Sequence, residues 1–201
     1  MRQLLDKYLK EASIEISDSQ IEDLLKFVRL LEKWNGAYNL TSVRKPEAML
    51  SRHIMDSLVI GKYLQGDCFA DVGSGPGIPG IPLAVMLPEK KFTLIDSRTK
   101  RSVFQRQSVI ELKLKNVSIL NIRAEQYAGE NFDGVISRAF ASLGDFLQIC
   151  RPLCNEKTVF YAMKGEIKDD EVKPVEERII AVHSLKVPGC DGARNLMIFR
   201  S

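Results

Sequence analysis

The spacing of apolar residues predicts that the chain begins with helices. In the segment SDSQIEDLLKFVRLLEKW, apolar side chains recur every three or four residues, which places them on one face of a helix. Ser19, with Glu22 three residues later, forms the capping box predicted for that helix. A second amphipathic helix is predicted to begin near Pro46. Its inward-facing residues are Met49, Leu50, Ile54 and Leu58.

From residue 68 onward, short β-rich runs alternate with helical patterns, which predicts βαβ units and a largely parallel sheet. The β-rich runs are CFADVG, KFTLIDS, VSILNIRA, FDGVISRA, TVFYAMKG, IIAVHSLKV and NLMIFR. Only PGCDGAR joins the last two runs, too little for a helical crossover, so these strands are predicted to pair antiparallel. We therefore predict an α/β fold in two parts, a helical N-terminal cap at residues 1–64 and a doubly wound domain at residues 65–201.

The clearest connecting helix in the second part is RTKRSVFQRQSVIELKLK. Its basic residues are predicted to form an outer, solvated face. The predicted inner face consists of Val103, Phe104, Val109, Ile110 and Leu112.

The segment after the first predicted strand, FADVGSGPGIPGIPLAV, contains four glycines, which allow a sharp bend and the close approach of a ligand. A phosphate-binding P-loop is excluded because Ile81 and Pro82 stand where that loop needs Lys and Ser or Thr. A dinucleotide fingerprint does match at Gly75, Gly77 and Gly80. However, it places two prolines among the first helical amides, and proline has no N–H to offer a pyrophosphate. The favoured ligand is S-adenosylmethionine, which carries no phosphate.

Acidic residues follow three successive predicted strands, an arrangement that favours S-adenosylmethionine as the ligand. Asp71 places negative charge beside the amino group and the sulfonium of that cofactor, while Gly73 and Gly75 admit its methionine moiety. Asp96 ends the next strand, where a carboxylate can accept hydrogen bonds from both ribose hydroxyls. Glu125 follows the third strand and is placed for the adenine edge. The alternative is that Asp96 and Glu125 only cap the helices that follow them.

A series of motifs from residue 34 to the end of the chain resembles one known family. In order, the motifs are WNGAYNLTSV, RHIMDSL, DVGSGPGIPGIPLA, FTLIDSRTKRSVFQRQ, FDGVISRAFASL, YAMKGE and VPGCDGARNLMIF. Together they resemble the bacterial small-subunit ribosomal RNA methyltransferase G family, also called the glucose-inhibited division protein B family. The resemblance implies a Rossmann-like class I methyltransferase fold, with a seven-stranded sheet in the order 3-2-1-4-5-7-6 and strand 7 antiparallel.

The same resemblance implies an activity, a cofactor and a partner. It implies transfer of a methyl group from S-adenosyl-L-methionine to N7 of one guanosine in 16S rRNA, in the small ribosomal subunit or its precursor. The cofactor contacts carried over by motif are Gly73, Ile78, Ala124, Glu125 and Arg138. Ser74 and Ile78 stand where other members often have Thr or Leu, a small departure that leaves cofactor binding expected.

The residues after the fourth predicted strand agree with methylation of a ring nitrogen. N7 of guanine has a lone pair and no proton, so positioning supplies most of the effect and no general base is needed. The chain has SRAF where a methyltransferase of exocyclic amines would have a [DN]-P-P-[FYW] motif. A pyrimidine C5 methyltransferase needs a cysteine nucleophile, whereas Cys150 and Cys154 lie in an apolar helical pattern typical of a core.

Arg138 is the candidate catalytic residue, because it follows the fourth strand at the mouth of the predicted site. Its guanidinium can reach guanine O6, a phosphate or the carboxylate of the cofactor, and these alternatives stay open. A further alternative is a buried salt bridge with Asp71. His53 and Asp56, one helical turn apart, are predicted to pair with each other and to dock the cap onto the sheet.

Basic and amide side chains collect in predicted loops near the strand ends and in the cap, which suits contact with an RNA backbone. The alternative for the basic residues that lie on helices is a solvated helix face. The candidate RNA-binding residues are Asn39, Arg44, Arg123, Lys164 and Arg194.

Composition sets the outer limits of this interpretation. The 201 residues are 45% hydrophobic and 27% charged, as in ordinary globular proteins, and the net charge of +3 neither requires nor excludes nucleic acid. The four cysteines show neither a zinc pattern nor a disulfide framework, so we expect no metal. No signal-peptide core or membrane-length apolar run is present, so we expect a cytoplasmic protein that is independent of membranes, and a monomer by default.

Two other functional classes stay open at this point. One is a methyltransferase with the same cofactor that acts on a protein or a small molecule. The other is a binding module that retains the nucleotide pocket without turnover, for example in ribosome assembly. A nicotinamide oxidoreductase is the least favoured alternative.

Overall fold

The structure is a computed structural model and describes residues 1–138, 140, 142–167 and 169–201. The α-helices are α1 (Arg2–Glu11), α2 (Asp18–Tyr38), α3 (Pro46–Met49), α4 (Asp56–Leu58), α5 (Gly80–Met86), α6 (Thr99–Glu111), α7 (Leu143–Cys150) and α8 (Asp169–Val172). The strands are β1 (Cys68–Val72), β2 (Lys91–Ile95), β3 (Val117–Leu120), β4 (Gly134–Ser137), β5 (Val159–Lys164), β6 (Ile179–Ser184) and β7 (Asn195–Arg200). A π-helical turn, Leu50–Met55, joins α3 to α4. None of the helices in the described part of the chain is long and apolar enough to cross a membrane.

The seven strands form one sheet in the order β3-β2-β1-β4-β5-β7-β6. Strands β1 to β5 pair in parallel, and β7 runs antiparallel to both of its neighbours, β5 and β6. The predicted strand order and the antiparallel last strand are therefore confirmed. Beyond β1 the chain builds outward through β2 and β3, and it then returns to place β4 on the other side of β1. Ligands of open α/β sheets bind at such a switch point, outside the carboxyl ends of the strands.

Both faces of the sheet are covered along its central strands, where alternate residues belong to different cores. On β5, Tyr161 and Met163 pack against one hydrophobic cluster, while Phe160 and Ala162 pack against the other. The first cluster lies under the N-terminal helices together with α5 and α6, and the second lies under α7.

The N-terminal helices share their core with the sheet. Leu24 and Leu31 of α2 belong to the same hydrophobic cluster as Phe69 of β1 and Tyr161 of β5, and all four side chains are almost completely buried. The Tyr161 hydroxyl also accepts a hydrogen bond from the backbone N–H of Gln65, at 3.0 Å. Residues on both sides of position 64 thus build one core, and the division of the chain at that position stays a prediction.

The start of α2 differs from the predicted capping box. Ser17, not Ser19, is the N-cap: its Oγ accepts from the backbone N–H of Gln20, and Gln20 Oε1 accepts from the backbone N–H of Ser17. The Gln20 amide also donates to the carbonyl oxygens of Val85 and Met86 at 2.8 and 3.0 Å, which ties this end of α2 to α5. The predicted N-cap lies two residues too far along the chain. Gln20 completes the capping box with Ser17 and also forms hydrogen bonds with α5, which favours Ser17 as the N-cap.

The inner face of α6 also differs from its prediction. Phe104 and Leu112 are buried as predicted, whereas Val103 is 47% and Ile110 is 70% exposed. Small or polar residues take their place on the buried side: Ser102, Gln105 and Ser108. The difference has a local cause, since the buried side of α6 must form hydrogen bonds with the polar turn after β1.

Candidate active site

The glycine turn after β1 is held by the end of β2. The backbone N–H of Gly73 donates to the carbonyl oxygen of Ile95 at 2.9 Å, and that of Gly75 donates to Asp96 Oδ2 at 2.9 Å. Gly73 and Gly75 have φ values of 68° and 58°, in the left-handed region that favours glycine. Because these amides already have acceptors inside the protein, the turn does not offer them to a pyrophosphate. This agrees with the sequence analysis, which favoured S-adenosylmethionine over a dinucleotide.

Asp71 is a buried carboxylate with only part of its hydrogen-bonding capacity used. It is 1% exposed, and its Oδ2 accepts from the backbone N–H of Gly80 at 2.8 Å. Its Oδ1 is buried and has no hydrogen-bond donor among the described residues. Burial raises the pKa of Asp71 to about 7, against the opposing effects of the Gly80 amide and the positive charge of Arg138. A buried acceptor without a donor indicates that a ligand with an N–H group belongs there.

Asp96 connects the turn to the start of α6. It is 4% exposed and accepts from three donors: the backbone N–H of Gly75, the backbone N–H of Arg98 and the guanidinium of Arg101, each at 2.9 Å. A carboxylate has about four acceptor sites, so one remains while Arg101 stays in place. The Arg101 side chain is 30% exposed and is the partner best able to move.

Gln105 is a residue of this site that the sequence analysis missed. Its side-chain amide donates to Ser74 Oγ at 2.9 Å and to the carbonyl oxygen of Gly75 at 2.7 Å. It is completely buried on α6 and, like Asp96, it fixes the glycine turn by hydrogen bonds. The sequence did carry one indication of this role. A long polar side chain follows Phe104 directly, on a helix whose inner face we had predicted from apolar residues alone.

A cleft of about 310 Å³ opens at the ends of β1, β2 and β3, and we call it the strand-end cleft. Its lining brings together four predicted cofactor residues: Gly73, Asp96, Ala124 and Glu125. Asp71 and Gly75 lie buried in the same turn, next to the cleft but not on its surface. Ile78 is 3% exposed and packs into the core below the turn, so it is separated from the cleft surface. Arg123, which we predicted to bind RNA, lines this cleft instead of the basic pocket described below.

The contacts of Arg138 differ from the buried salt bridge with Asp71 that the sequence analysis kept as an alternative. Its Nη1 donates to Asp56 Oδ2 at 3.1 Å and to the carbonyl oxygen of Arg52 at 3.0 Å. No salt bridge joins it to Asp71 in the described structure, although its charge still lowers the pKa of Asp71. Asp56 also forms an ion pair with Arg194, whose Nε lies 3.3 Å from Oδ1.

The predicted pairing of His53 with Asp56 is wrong. The Nε2 atom of His53 lies 2.9 Å from the hydroxyl of Thr41, and Nδ1 lies 3.0 Å from the carbonyl oxygen of Arg52. Since that carbonyl can only accept, Nδ1 carries the proton and Nε2 accepts from Thr41. Burial, with the positive charge of Arg138 as the next cause, lowers the pKa of His53 to about 4. The ring is therefore neutral. It holds the loop at 39–45 against the π-helical turn and forms no ion pair with Asp56.

A second cavity, of about 300 Å³, lies between the cap and the ends of β4, β5 and β7, and we call it the cap pocket. Charged side chains on its wall are Arg52, Asp56, Arg138, Lys164 and Arg194, and its apolar contributions include Val43, Met163 and Leu185. Two predicted RNA-binding residues, Lys164 and Arg194, thus line this pocket. Two others, Asn39 and Arg44, lie in the adjoining loop and bond to each other, with Arg44 Nη2 donating to Asn39 Oδ1 at 2.8 Å.

Comparison with known proteins decides the family. The family model described as rRNA small subunit methyltransferase G matches residues 20–197. The chain belongs to this family. Relatives named "Ribosomal RNA small subunit methyltransferase G" from Shigella flexneri and from Salmonella arizonae are each 50% identical over 200 residues, which cover 98% of this chain and 97% of the relative. The resemblance in the sequence motifs is therefore confirmed, and with it the assignment of the chain as an rRNA methyltransferase.

Solved structures support the fold expected for methyltransferase G. A SAM dependent methyltransferase from Aquifex aeolicus is 17% identical, with a TM-score of 0.59 over 76% of this chain and 92% of the other. A precorrin-6y C5,15-methyltransferase from Geobacter metallireducens is 14% identical, with a TM-score of 0.57 over 82% of this chain and 93% of the other. At these identities the likeness concerns the fold alone, and it confirms the predicted class I methyltransferase architecture.

Three residues of this methyltransferase G chain were not predicted as site residues but line the two cavities or hold the glycine turn beside them. Asp56 joins Arg138 to Arg194, Arg101 covers Asp96, and Gln105 fixes the glycine turn. In the part of the chain that the structure describes, no group of three His, Cys, Asp or Glu side chains is arranged to hold a metal ion.

Proposed function

We propose that the protein transfers a methyl group from S-adenosyl-L-methionine to N7 of one guanosine in 16S rRNA of the small ribosomal subunit or its precursor. The observation that carries this proposal is the buried Oδ1 of Asp71, which has no hydrogen-bond donor among the described residues and lies at the switch point of a methyltransferase sheet. The strand-end cleft adjoins it on one side, and Arg138 connects it electrostatically to the basic cap pocket.

The donor set at the strand ends fits this cofactor. The α-amino group of S-adenosylmethionine is a cationic N–H donor and would meet the free acceptor of Asp71. Asp96 would accept from the ribose hydroxyls, and Ala124 with Glu125 would face the adenine. When bound, the cofactor supplies a methyl group activated by its sulfonium. The protein's part is to hold the reacting atoms in line and to exclude water.

Ribose binding requires a local rearrangement at Asp96. While Gly75, Arg98 and Arg101 donate to its carboxylate, one acceptor site remains for two hydroxyls. Departure of the partly exposed Arg101 guanidinium would free a second acceptor site, on Oδ2, and the two backbone donors would keep the carboxylate in place. Arg101 would then extend its charge toward solvent, where RNA phosphates are available.

The buried thiols argue against a covalent pyrimidine mechanism. Cys150 is fully buried, and burial raises its pKa far above the ordinary range of a thiol. Burial likewise raises the pKa of Cys154 to about 12. The nucleophile in such a mechanism is the thiolate, which these environments strongly disfavour. Methylation at N7 needs neither a thiolate nor a general base, because that nitrogen attacks through its own lone pair.

The cap pocket and its adjoining loop support RNA as the substrate. Arg138, Lys164 and Arg194 line the pocket, and Arg44 is exposed in the neighbouring loop. Arginine and lysine at such an edge neutralise phosphates and fix the register of the nucleic acid. We propose a cytoplasmic monomer acting on the ribosomal particle, as expected from the sequence.

The test is methyl transfer from labelled S-adenosylmethionine to small ribosomal subunits from a strain that lacks this gene. Borohydride and aniline treatment, which cleaves RNA at N7-methylguanosine, then follows. We expect one new cut in 16S rRNA. Label without a cut would overturn the assignment to N7, and no label despite cofactor binding would overturn the assignment of the substrate.

The same assay tests Arg138. Arg138→Ala should lower kcat/KM about 100-fold, the effect typical of removing one charged donor from an active site. Arg151→Ala is the matched control, since Arg151 is an exposed arginine after α7 and should leave the rate unchanged. Normal methylation by Arg138→Ala would remove Arg138 from the active site.

A further inference from the structure

Among the residues that the structure describes, Asp56 is the one acidic side chain in the wall of the cap pocket, and one of its oxygens lacks a hydrogen-bond donor. It is 5% exposed, and its Oδ2 accepts from Arg138 at 3.1 Å. Its Oδ1 lies 3.3 Å from Arg194 Nε, close enough for an ion pair but without the alignment of a hydrogen bond. Among the described residues Oδ1 therefore has no hydrogen-bond donor. Since buried acceptors are normally satisfied, a donor from a ligand is indicated at this position.

The chemistry around this oxygen selects among the nucleobases. Guanine carries N1–H and an N2 amino group side by side on one edge, and a carboxylate is an acceptor that can take both. Adenine presents the lone pair of N1 at the same place, which a carboxylate repels. The neighbouring guanidinium of Arg138 offers donors where guanine has the acceptor O6. The pocket wall is therefore complementary to the N1, N2 and O6 edge of guanine.

We propose that the cap pocket is the binding site of the target guanine and that Asp56 reads its N1–H and N2 amino groups. The inference rests on the proposed function and names the substrate site for it. The volume of about 300 Å³ is at the small end for ligand sites and suits one base. Val43 and Met163 offer apolar surface to the faces of the ring, and the exposed Arg52 and partly exposed Arg194 offer positive charge to the flanking phosphates.

This placement also orients the reacting atom. N7 lies on the side of the purine away from N1 and N2, so it points out of the cap pocket when that edge is on Asp56. Arg138, which contacts Asp56 in the cap pocket, directly follows Ser137. The Ser137 hydroxyl donates to the carbonyl oxygen of Val72 in the wall of the strand-end cleft, so the two cavities lie at neighbouring strand ends. With the guanine held by Asp56 and Arg138, N7 faces the strand ends, where the methyl donor is proposed to bind. The base must leave its stack to reach the pocket, which costs least in a single-stranded loop.

Inosine provides the test, because it keeps N1–H, O6 and N7 but lacks the N2 amino group. Small subunits are reconstituted with 16S rRNA that carries guanosine or inosine at the methylated position. For the native protein we expect kcat/KM to be at least about 10-fold lower with inosine. For Asp56→Ala we expect lower activity with guanosine and a guanosine-to-inosine ratio near 1, as in a double-mutant cycle in which both partners of one contact are removed.

Asp191→Ala is the matched control. Asp191 is an exposed aspartate three residues before Arg194, so its replacement removes the same charge near the pocket without removing the buried acceptor. This variant should keep the ratio of the native protein. If Asp56→Ala turns over too slowly to assay, the ratio of dissociation constants for the two particles replaces the ratio of rates.

Two results would overturn the proposal: equal use of guanosine and inosine by the native protein, or an unchanged ratio in Asp56→Ala. The second would mean that Asp56 only supports the two arginines, since a supporting role slows both substrates alike. Failure of the proposed function is distinguishable, because the native protein would then produce no aniline-sensitive site with guanosine particles.

Discussion

At the scale of single residues, three carboxylates taken out of water define the two cavities, and their partners differ. Asp71 is held by one backbone amide, Asp96 by two backbone amides and a guanidinium, and Asp56 by two guanidinium groups. Burying a carboxylate is costly unless cations or several donors compensate it. Asp71 has the least compensation, and this explains why its pKa is raised to about 7. A cationic ligand at Asp71 would supply the charge that the protein itself does not.

Asp71→Asn should change how stability depends on pH. A folded-state pKa of about 7, against an ordinary aspartate pKa of 3.8, means that the contribution of Asp71 is fully present below about pH 4 and is lost as pH rises through 7. The variant escapes this loss, so its free energy of unfolding relative to the native protein should rise by up to about 4 kcal/mol between pH 4 and 7. Urea unfolding at a series of pH values measures it.

Asp133 provides a control of opposite sign. The backbone N–H groups of Asp67 and Cys68 donate to its carboxylate and lower its pKa. Its contribution is present at neutral pH and is lost as pH falls, so Asp133→Asn should lose stability relative to the native protein as pH rises from acid toward neutral. A parallel pH profile for Asp71→Asn and the native protein would contradict a raised pKa at Asp71.

Sequence reasoning found some of these residues and missed others for a geometric reason. Asp71 and Asp96 stand at strand ends in a recognisable turn, so their places follow from local pattern and topology. Asp56 meets Arg138 across 82 positions of sequence, and Gln105 meets Gly75 across 30. Nothing local distinguishes such partners, because only the packing of cap and helix on the sheet brings them together.

At the scale of elements, the start of α5 depends on a glycine that links helix and active site. Gly80 is the first residue of this helix, and its N–H donates to Asp71. A Cβ at this position would overlap the Leu94 side chain and approach Asp71 Oδ2 to 2.8 Å. Any side chain here must therefore displace the buried Leu94 side chain or the carboxylate that is proposed to hold the cofactor.

Gly80→Ala should therefore weaken both the fold and cofactor binding. Overpacking of this kind costs about 1–3 kcal/mol, and displacement of Asp71 should lower the affinity for S-adenosylmethionine. Gly36→Ala in α2 is the matched control, because a Cβ there meets nothing within 4 Å. It should stabilise the helix by about 0.5–1 kcal/mol and leave cofactor affinity unchanged. Urea unfolding and calorimetric titration separate the two effects, and native affinity in Gly80→Ala would refute the link.

The elements themselves were largely predictable, and their details were not. Periodicity located α2 and the strands, because burial of one face repeats along an element. The same reasoning predicted one continuous helix from Pro46, where the structure has a π-helical turn at Leu50–Met55. That turn carries Arg52 and His53, and the carbonyl oxygen of Arg52 meets Arg138. Such turns often occur at functional sites, and apolar spacing carries no signal of them.

At the scale of the whole molecule, charge is distributed unevenly although its sum is small. At the start of the cap, Arg2 is surrounded by three carboxylates, those of Asp6, Asp18 and Glu22. Around the cap pocket cations predominate, with Asp56 as the acidic residue in its wall. Although the net charge is only +3, the edge of the molecule where the substrate is proposed to bind is positively charged. Distribution of charge, more than its sum, determines attraction to a polyanion.

Arg44→Gln tests this positive edge in solution. Arg44 is exposed in the loop beside the cap pocket, and its hydrogen bond to Asn39 carries no opposing charge. Loss of one phosphate contact should weaken binding to small subunits and reduce the slope of log K against log salt by about 1. Arg29→Gln removes the same charge from the exposed side of α2 and should leave that slope unchanged. Equal losses in the two variants would mean that general positive charge, and not this edge, attracts the RNA.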